Sequence, residues 1–368
     1  MDQSYELIES EDHLRAWLGV HGGAEVIAWD CEFERQRTYY AKLGLLQMAS
    51  SSGIAAIDPL TMPSLAEQLQ GVISHPHVCL FHSGRQDLEV LQQAGIRLAG
   101  TVLDTQIGAG LLGFAEQVSY ADLVAQLCGV ELDKSQTRTD WLRRPLTSAQ
   151  VRYACDDVRY LHQVYEVLRA RLEALGRLRW WEEDSKAMVQ AATVEADSAD
   201  AWQRVKGLSG LPSASFQRGV RLATWREDEA RARDLPRSWI LKDAELVALA
   251  DSAPRKLTEL AQKLPEKQGM VRRHGERLIA LLQEMPSQPL IRPPEKPDAA
   301  ARAEAKSLAA RIDRRAESLG LSASLLLTRR EIQETVAGRP PARLGSGWRA
   351  ELLRDELSAC DLSSGGKS

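Results

Sequence analysis

Four acids and one phenol are the residues of this chain whose spacing suggests chemistry. Asp30 and Glu32 stand two apart in the run EVIAWDCEF, residues 25–33. A strand repeats every two residues, so both carboxylates project from one face while Trp29, Cys31 and Phe33 take the other. Two acids on one side of a buried strand end are costly unless something positive lies between them. Tyr153 and Asp157 stand four apart, one helical turn, and share a face. Val151, Ala154, Val158 and Leu161 supply the packing stripe of that helix. Asp156 is rotated by about 100° from Asp157 and reads as a solvent-facing or salt-bridging neighbour. Asp87 falls where a strand ends and a helix starts. Each piece has a plain reading: an acidic strand edge, a helix-dipole partner, an exposed Tyr over an acid. Together they are hard oxygen ligands suited to Mg²⁺ or Mn²⁺. Two such ions about 3.5–4 Å apart can clamp an in-line phosphoryl displacement, one activating water and the other steadying the leaving 3′ oxygen. A phenol of pKa about 10 is a poor base, so Tyr153 is assigned to positioning the water.

Alternating and helical runs must bring these groups together. Residues 1–180 read as α/β. Residues 10–18 form a short capped helix, and strands follow at 25–33, 43–49 and 53–58. A helix spans 65–73, a strand 77–82, and a helix 85–93 that Gly95 stops. Residues 102–104 form a short strand that runs into another helix. Residues 120–127 are helical, and 147–175 read as one long helix. Strands with helices between and after them imply a mixed sheet with helices on its faces. Beyond residue 195 amphipathic helices take over, at 213–233, 242–251, 256–262 and 270–285. Residues 287–297 carry four prolines and read as a linker. The expected class is therefore α/β plus all-α.

Bulk properties narrow the function. The 368 residues suit two to three domains. Five scattered cysteines, with no C-x-x-C pair, argue against a disulfide framework or zinc finger and fit a reducing cytosol. The polar, acidic first residues lack a signal-peptide pattern, and no run approaches 18 apolar residues. The net charge of −4 divides into −12 over residues 1–200, +5 over 201–290 and +3 over 291–368. That split suits an enzyme holding cations in one place and a polyanion in another. Gly366, Lys367 and Ser368 do not make a P-loop, because Asp361 stands where its first glycine belongs. His75 and His77 are too isolated for a zinc site.

With these residues in view, the sequence resembles the ribonuclease D family, the tyrosine subclass of the DEDD 3′→5′ exonucleases, nearly end to end. Trp29–Phe33, Leu45-Leu46-Gln47, His82–Leu88, Leu103–Gln106, Lys134-Ser135-Gln136 with Asp140–Leu146, and Tyr153–Leu161 carry the resemblance. It implies an RNase H-like sheet and two divalent ions, Mg²⁺ or Mn²⁺. The ligands implied are Asp30, Glu32, Asp87 and Asp157, with Tyr153 holding the water. It also implies release of 5′-mononucleotides from the 3′ ends of tRNA precursors and other small structured RNAs. Phe33, Gln47, His82, Trp141 and Arg144 are candidate substrate contacts. Trp141 reads equally well as a core anchor, and Asp104 reads better as a helix cap.

Residues 200–285 resemble the HRDC domain through Trp202, Leu222–Glu227, Leu235-Pro236 and Arg272–Gly275. Arg272 and Arg273 are expected to face RNA phosphates. Residues 298–358 are similar to a second, more divergent HRDC-like module. The expected domains are an exonuclease at 1–195, HRDC at 198–286, a linker at 287–297 and a second helical domain at 298–362. A monomer in the cytoplasm is expected, with no membrane contact and no nucleotide cofactor. Removing residues 291–368 should then weaken binding of structured RNA more than it slows cleavage of short oligonucleotides. A DNA exonuclease of the same family shares the metal chemistry. A non-catalytic nucleic-acid scaffold would need a lost ligand.

Overall fold

The computed structural model describes residues 4–73, 77–133, 139–194, 197–285 and 297–358. The 134–136 motif, the linker up to 296, His75, Cys360 and residues 361–368 lie outside them. The described residues fall into two compact units. One draws on Met1–Glu34, Lys42–Thr193 and Pro297–Ser368, the other on Arg35–Ala41 and Val194–Lys296.

The first unit is built on six strands: β1 (Tyr5–Ile8), β2 (Val26–Glu34), β3 (Lys42–Ala49), β4 (Ile54–Ile57), β5 (Val78–Phe81) and β6 (Thr101–Asp104). Their order is β1-β4-β3-β2-β5-β6. β2, β3 and β4 form an antiparallel meander, while β5 and β6 add in parallel beyond β2 and β1 joins β4 in parallel. The mixed sheet is as expected. β2 lies inside the sheet, which is why its start reads as continuous apolar residues: Ile27, Ala28 and Trp29 are fully buried. β1 was not anticipated, since four residues at a sheet edge carry almost no periodic signal.

One face of the sheet is covered by the helix Ser148–Arg159, seated through Val151, Ala154, Cys155 and Val158. A capping box of Thr147 and Gln150 fixes its start. The single helix expected over 147–175 is two helices, Ser148–Arg159 and Leu161–Ala174, broken at Tyr160. The Tyr120 hydroxyl explains the break: it accepts the Tyr160 N–H at 3.0 Å and donates to the Asp156 carbonyl at 3.2 Å. A side chain 40 residues away thus closes the last turn of the helix that carries Asp157.

The helix Leu178–Thr193 also went unanticipated. Its buried side chains are Trp181, Ser185 and Ala192, two of them too small or polar to mark an apolar stripe. Adjacent tryptophans on it face two neighbours. Trp181 Nε1 donates to the Asp104 carbonyl at 2.7 Å. Trp180 stacks on Trp348, with ring centroids 4.3 Å apart and planes 9° apart. Trp348 Nε1 donates to Asp184 at 3.0 Å, and the Arg349 guanidinium pairs with the same carboxylate. Arg177 donates to Leu111 O at 2.7 Å and Leu319 O at 2.8 Å, joining the two parts of the unit.

The C-terminal helices, beginning with Ala299–Leu319, are therefore not a free-standing appendage. Leu308, Ile312, Leu326, Ile332, Trp348 and Leu353 belong to the same buried cluster as Ala154 and Leu80. This differs from the separate 298–362 domain and alters what truncation does: cutting at 297 exposes the core against which the sheet packs. Trp348→Ala is expected to cost about 3–5 kcal/mol, read as a drop in the denaturant midpoint of the first unit. An unchanged midpoint would show that these helices unfold independently of the sheet.

The second unit is helical. Its main helices are Ser213–Ala232, Asp243–Ser252, Leu257–Lys263 and Gln268–Gln283, within a residue or two of expectation at most ends. Phe216, Leu222, Leu246, Leu249, Leu260 and Leu278 form their common core.

Candidate active site

β2 delivers the first two acids. Asp30 sits opposite Gln47 and Glu32 opposite Leu45 on β3, and the register slips between Glu32 and Phe33. Such an irregularity ends regular pairing and re-aims the strand beyond it. Phe33, at the slip, is partly exposed. Residues opposite one another across an antiparallel pair share a face, so Gln47 lies beside Asp30 on the face that the helix Ser148–Arg159 covers. That helix presents Asp157, and one carboxylate oxygen each from Asp30, Glu32 and Asp157 lies within 4.8 Å of the others.

Asp87 enters from the helix Arg85–Gln93, which begins directly after β5. The turn between them is tight. Ser83 has a φ of +58°, and a Cβ on Gly84 would come within 2.4 Å of the Phe81 side chain. Only glycine fits there without displacing Phe81. The Gly84 N–H is held at 2.8 Å by Asp104, whose other oxygen caps the following helix through Gln106 and Ile107 N–H groups. The preferred reading of Asp104 as a cap is correct, and its second oxygen adds a support for the Asp87 turn. That support, and Tyr120, were missed. Both act by hydrogen bonds across 20 or more residues, for which spacing gives no signal.

The electrostatics of the cluster are unrelieved. Burial first, then the charges of Asp87, Asp157 and Glu32, raise Asp30 well above the usual carboxylate range. Burial together with Asp157 and Asp87 pushes Glu32 up to about 9. Burial also lifts Asp87 to about 7, with Asp104 adding to it. Asp157 rises to about 7 through burial and the charge of Asp156, against a lowering hydrogen bond from Tyr153. That hydrogen bond places the phenol hydroxyl on the carboxylate it shares a helix face with. Asp156 itself is paired with Arg159 at 2.7 Å, as expected.

The remaining candidates divide. His82 uses both ring nitrogens inside the protein, Nδ1 with Thr105 Oγ1 at 2.9 Å and Nε2 with the Val118 carbonyl at 3.0 Å, and burial holds its pKa down. Trp141 is 4% exposed and lies in the core, its ring 6.2 Å from that of Tyr153. Arg144 forms a bidentate pair with buried Asp58 at 2.5 and 2.6 Å and also donates to the Gly44 and Trp141 carbonyls. These three are corrected from substrate contacts to scaffold: their donors and surfaces are already committed, and Trp141 and Arg144 brace the strand under the site. Gln47 is fully buried with neither amide atom bonded. Arg272 and Arg273 are exposed on the second unit.

A mixed sheet of this order with carboxylates converging from β2, a strand–helix junction and a late helix defines a 3′→5′ exonuclease. A family model described as 3′-5′ exonuclease matches residues 5–173, and one described as HRDC domain matches 216–282. Ribonuclease D of Shewanella sp. strain ANA-3 is 32% identical over 97% of this chain and 94% of its own. The crystal structure of Escherichia coli RNase D, described as an exoribonuclease involved in structured RNA processing, superimposes with a TM-score of 0.88 at 31% identity, covering 97% and 98% of the two chains. A protein from Bifidobacterium adolescentis shares the fold at 17% identity, with a TM-score of 0.71. The chain belongs to the ribonuclease D family and is a 3′→5′ exoribonuclease. No helix among the described residues is long and apolar enough to cross a membrane.

Proposed function

We propose that the enzyme hydrolyses RNA from the 3′ end with two divalent cations, Mg²⁺ or Mn²⁺, held by Asp30, Glu32, Asp87 and Asp157, and that it trims tRNA precursors and other small structured RNAs. The exonuclease fold implies divalent metal, and the residues fit it. Three carboxylate oxygens within 4.8 Å, on side chains whose pKa values are raised by burial and by neighbouring acids, form a site suited to a positive charge. This is the observation that carries the reading. The orphaned Gln47 amide beside Asp30 is a further sign that the pocket suits a polar occupant. Cations bound there would supply Lewis-acid stabilisation of the displaced and attacking oxygens.

The chain's own groups orient the reaction. The Tyr153 hydroxyl, beside Asp157, is placed to hydrogen-bond the attacking water and aim it. The partly exposed ring of Phe33 stands one residue past Glu32, where a terminal base can pack. The Arg144–Asp58 pair and Trp141 keep β3 in place behind them.

The test is a time course on 3′-labelled single-stranded RNA and matched DNA, with Mg²⁺, Mn²⁺ or EDTA. Labelled 5′-mononucleotide should appear first from RNA, with DNA degraded more slowly and nothing released in EDTA. Internal fragments, or cleavage that survives EDTA, would end this reading.

A further inference from the structure

A cationic feature lies inside the second unit. A cleft of about 570 Å³ is lined by Arg35, Arg204, Arg226, Arg237, Lys242 and Asp243, among others. Beneath it Glu227, 1% exposed, is saturated: Arg237 grips it at 2.5 and 2.7 Å, Arg204 lies at 3.1 Å, and the Tyr39 hydroxyl donates at 2.5 Å. Burial alone would raise the Glu227 pKa, yet these partners hold it at about 2. Its charge is therefore fixed, and so is the geometry of the two guanidiniums above it. Arg226 is 4% exposed. Its Nη1 is taken by Asp243 and the Leu241 carbonyl, while its Nε has no partner. Five cations line or border the cleft against Asp243 and Glu227, with Glu266 reaching Lys242 from 3.7 Å, so positive charge predominates there.

Aromatic surface accompanies this charge. Trp239 is 55% exposed on the short helix Arg237–Ile240, between cleft residues Ser238 and Leu241. Tyr40 is 36% exposed and meets the Tyr39 ring edge-on at 4.9 Å. Tyr39 in turn lies under the Arg237 guanidinium at 4.7 Å. A groove of fixed cations flanked by open aromatic faces matches the chemistry of a single nucleic-acid strand, whose phosphates pair with the cations while bases stack. An acidic peptide would use the charge but leave the aromatics in water.

We propose that this cleft binds the sugar–phosphate backbone of single-stranded RNA, with a base stacked on Trp239, and so holds substrate between cleavages. The proposal rests on the exoribonuclease reading for the identity of the polymer. It differs from the expected Arg272–Arg273 face, which does not line the cleft. Its residues are separate in sequence, contributed by 35–41, by 204 and by 226–243, and the segment 35–41 reads as a loop following a catalytic strand.

The test measures binding of a 15-nucleotide RNA in EDTA, where no cleavage can occur, as a function of salt. Lys242→Glu and Trp239→Ala avoid the Glu227 network and so leave its buried charge paired. Each is expected to weaken affinity about 5–10-fold, an exposed phosphate contact or one stacked base. Lys242→Glu should also flatten the salt dependence by roughly one phosphate, and Trp239→Tyr should restore the affinity. Lys263→Glu, exposed and outside the cleft, is the charge-matched control. Dinucleotide hydrolysis, too short a substrate to need the cleft, should keep its kcat in every variant. Parent-like RNA affinity in Lys242→Glu and Trp239→Ala, or an equal loss in Lys263→Glu, would overturn the proposal. Retained affinity for polyglutamate with none for RNA would assign the cleft to a protein partner instead. Since binding is read without metal, an inactive parent enzyme would defeat the exonuclease reading without touching this result.

Discussion

Asp157→Asn is expected to fold normally and to degrade RNA at least about 10³-fold more slowly than the parent. The substitution keeps the shape of the side chain and removes one of three carboxylate oxygens that meet within 4.8 Å. In the metal-free protein it also removes a buried charge that its neighbours repel, so the fold gains rather than loses from it. A rate collapse with an unchanged or higher Tm therefore separates a lost ligand from a damaged scaffold. The adjacent acid supplies the contrast. Asp156 is paired with Arg159 on the side of the helix, and Asp156→Asn should keep the rate within a few-fold. Tyr153→Phe should fall between the two, because it removes the hydroxyl but leaves every carboxylate in place. Single-turnover rates on the same labelled RNA would rank the three. An Asp157→Asn rate within tenfold of the parent would remove Asp157 from the ligand set.

The candidate acids Asp30, Glu32 and Asp157 were legible because they are tied to local periodicity. Asp30 and Glu32 declare themselves by the two-residue repeat of β2, and Tyr153 and Asp157 by one turn of a helix. What holds them is less visible. Trp141 and Arg144 look like surface recognition residues in a sequence, since aromatics and guanidiniums are common at such sites. Only the fold shows that Asp58, 86 residues away, takes the guanidinium. The break at Tyr160 is set by Tyr120, and no propensity of residues 147–175 foretells it. Likewise the helix 178–193 divides its two tryptophans between separate neighbours, which helps make the helices within 299–358 part of the first unit's core. In each case the deciding contact is long-range and polar, or a small buried residue stands where a periodic search needs a large apolar one.

Without metal, the first unit is expected to lose stability as pH rises from about 7 to 9. A group that is protonated more readily in the native state than in the unfolded chain gives the native state the larger number of bound protons between its two pKa values. Raising the pH through that interval then favours unfolding. Asp87 and Asp157, moved from 3.8 to about 7, and Glu32, moved from 4.5 to about 9, are such groups. Asp30 shifts in the same direction. His82 and His162 act oppositely: their lowered pKa values make stability rise up to their ordinary range near 6.5, which offsets part of the loss at lower pH. The contribution of the two aspartates is largely lost by about pH 7, so Glu32 carries most of the descending limb between pH 7 and 9. A fall of at least about 5 °C in Tm between pH 7 and 9 in EDTA is expected, since each kcal/mol is worth roughly 2–4 °C in a unit of this size. Millimolar Mn²⁺ should cancel the fall, because a bound cation replaces the protons and its hold strengthens as they leave. Glu32→Gln should flatten the metal-free limb and blunt the response to Mn²⁺ together. A Tm that is level from pH 7 to 9 in EDTA and indifferent to Mn²⁺ would mean that the acids do not share one unrelieved site.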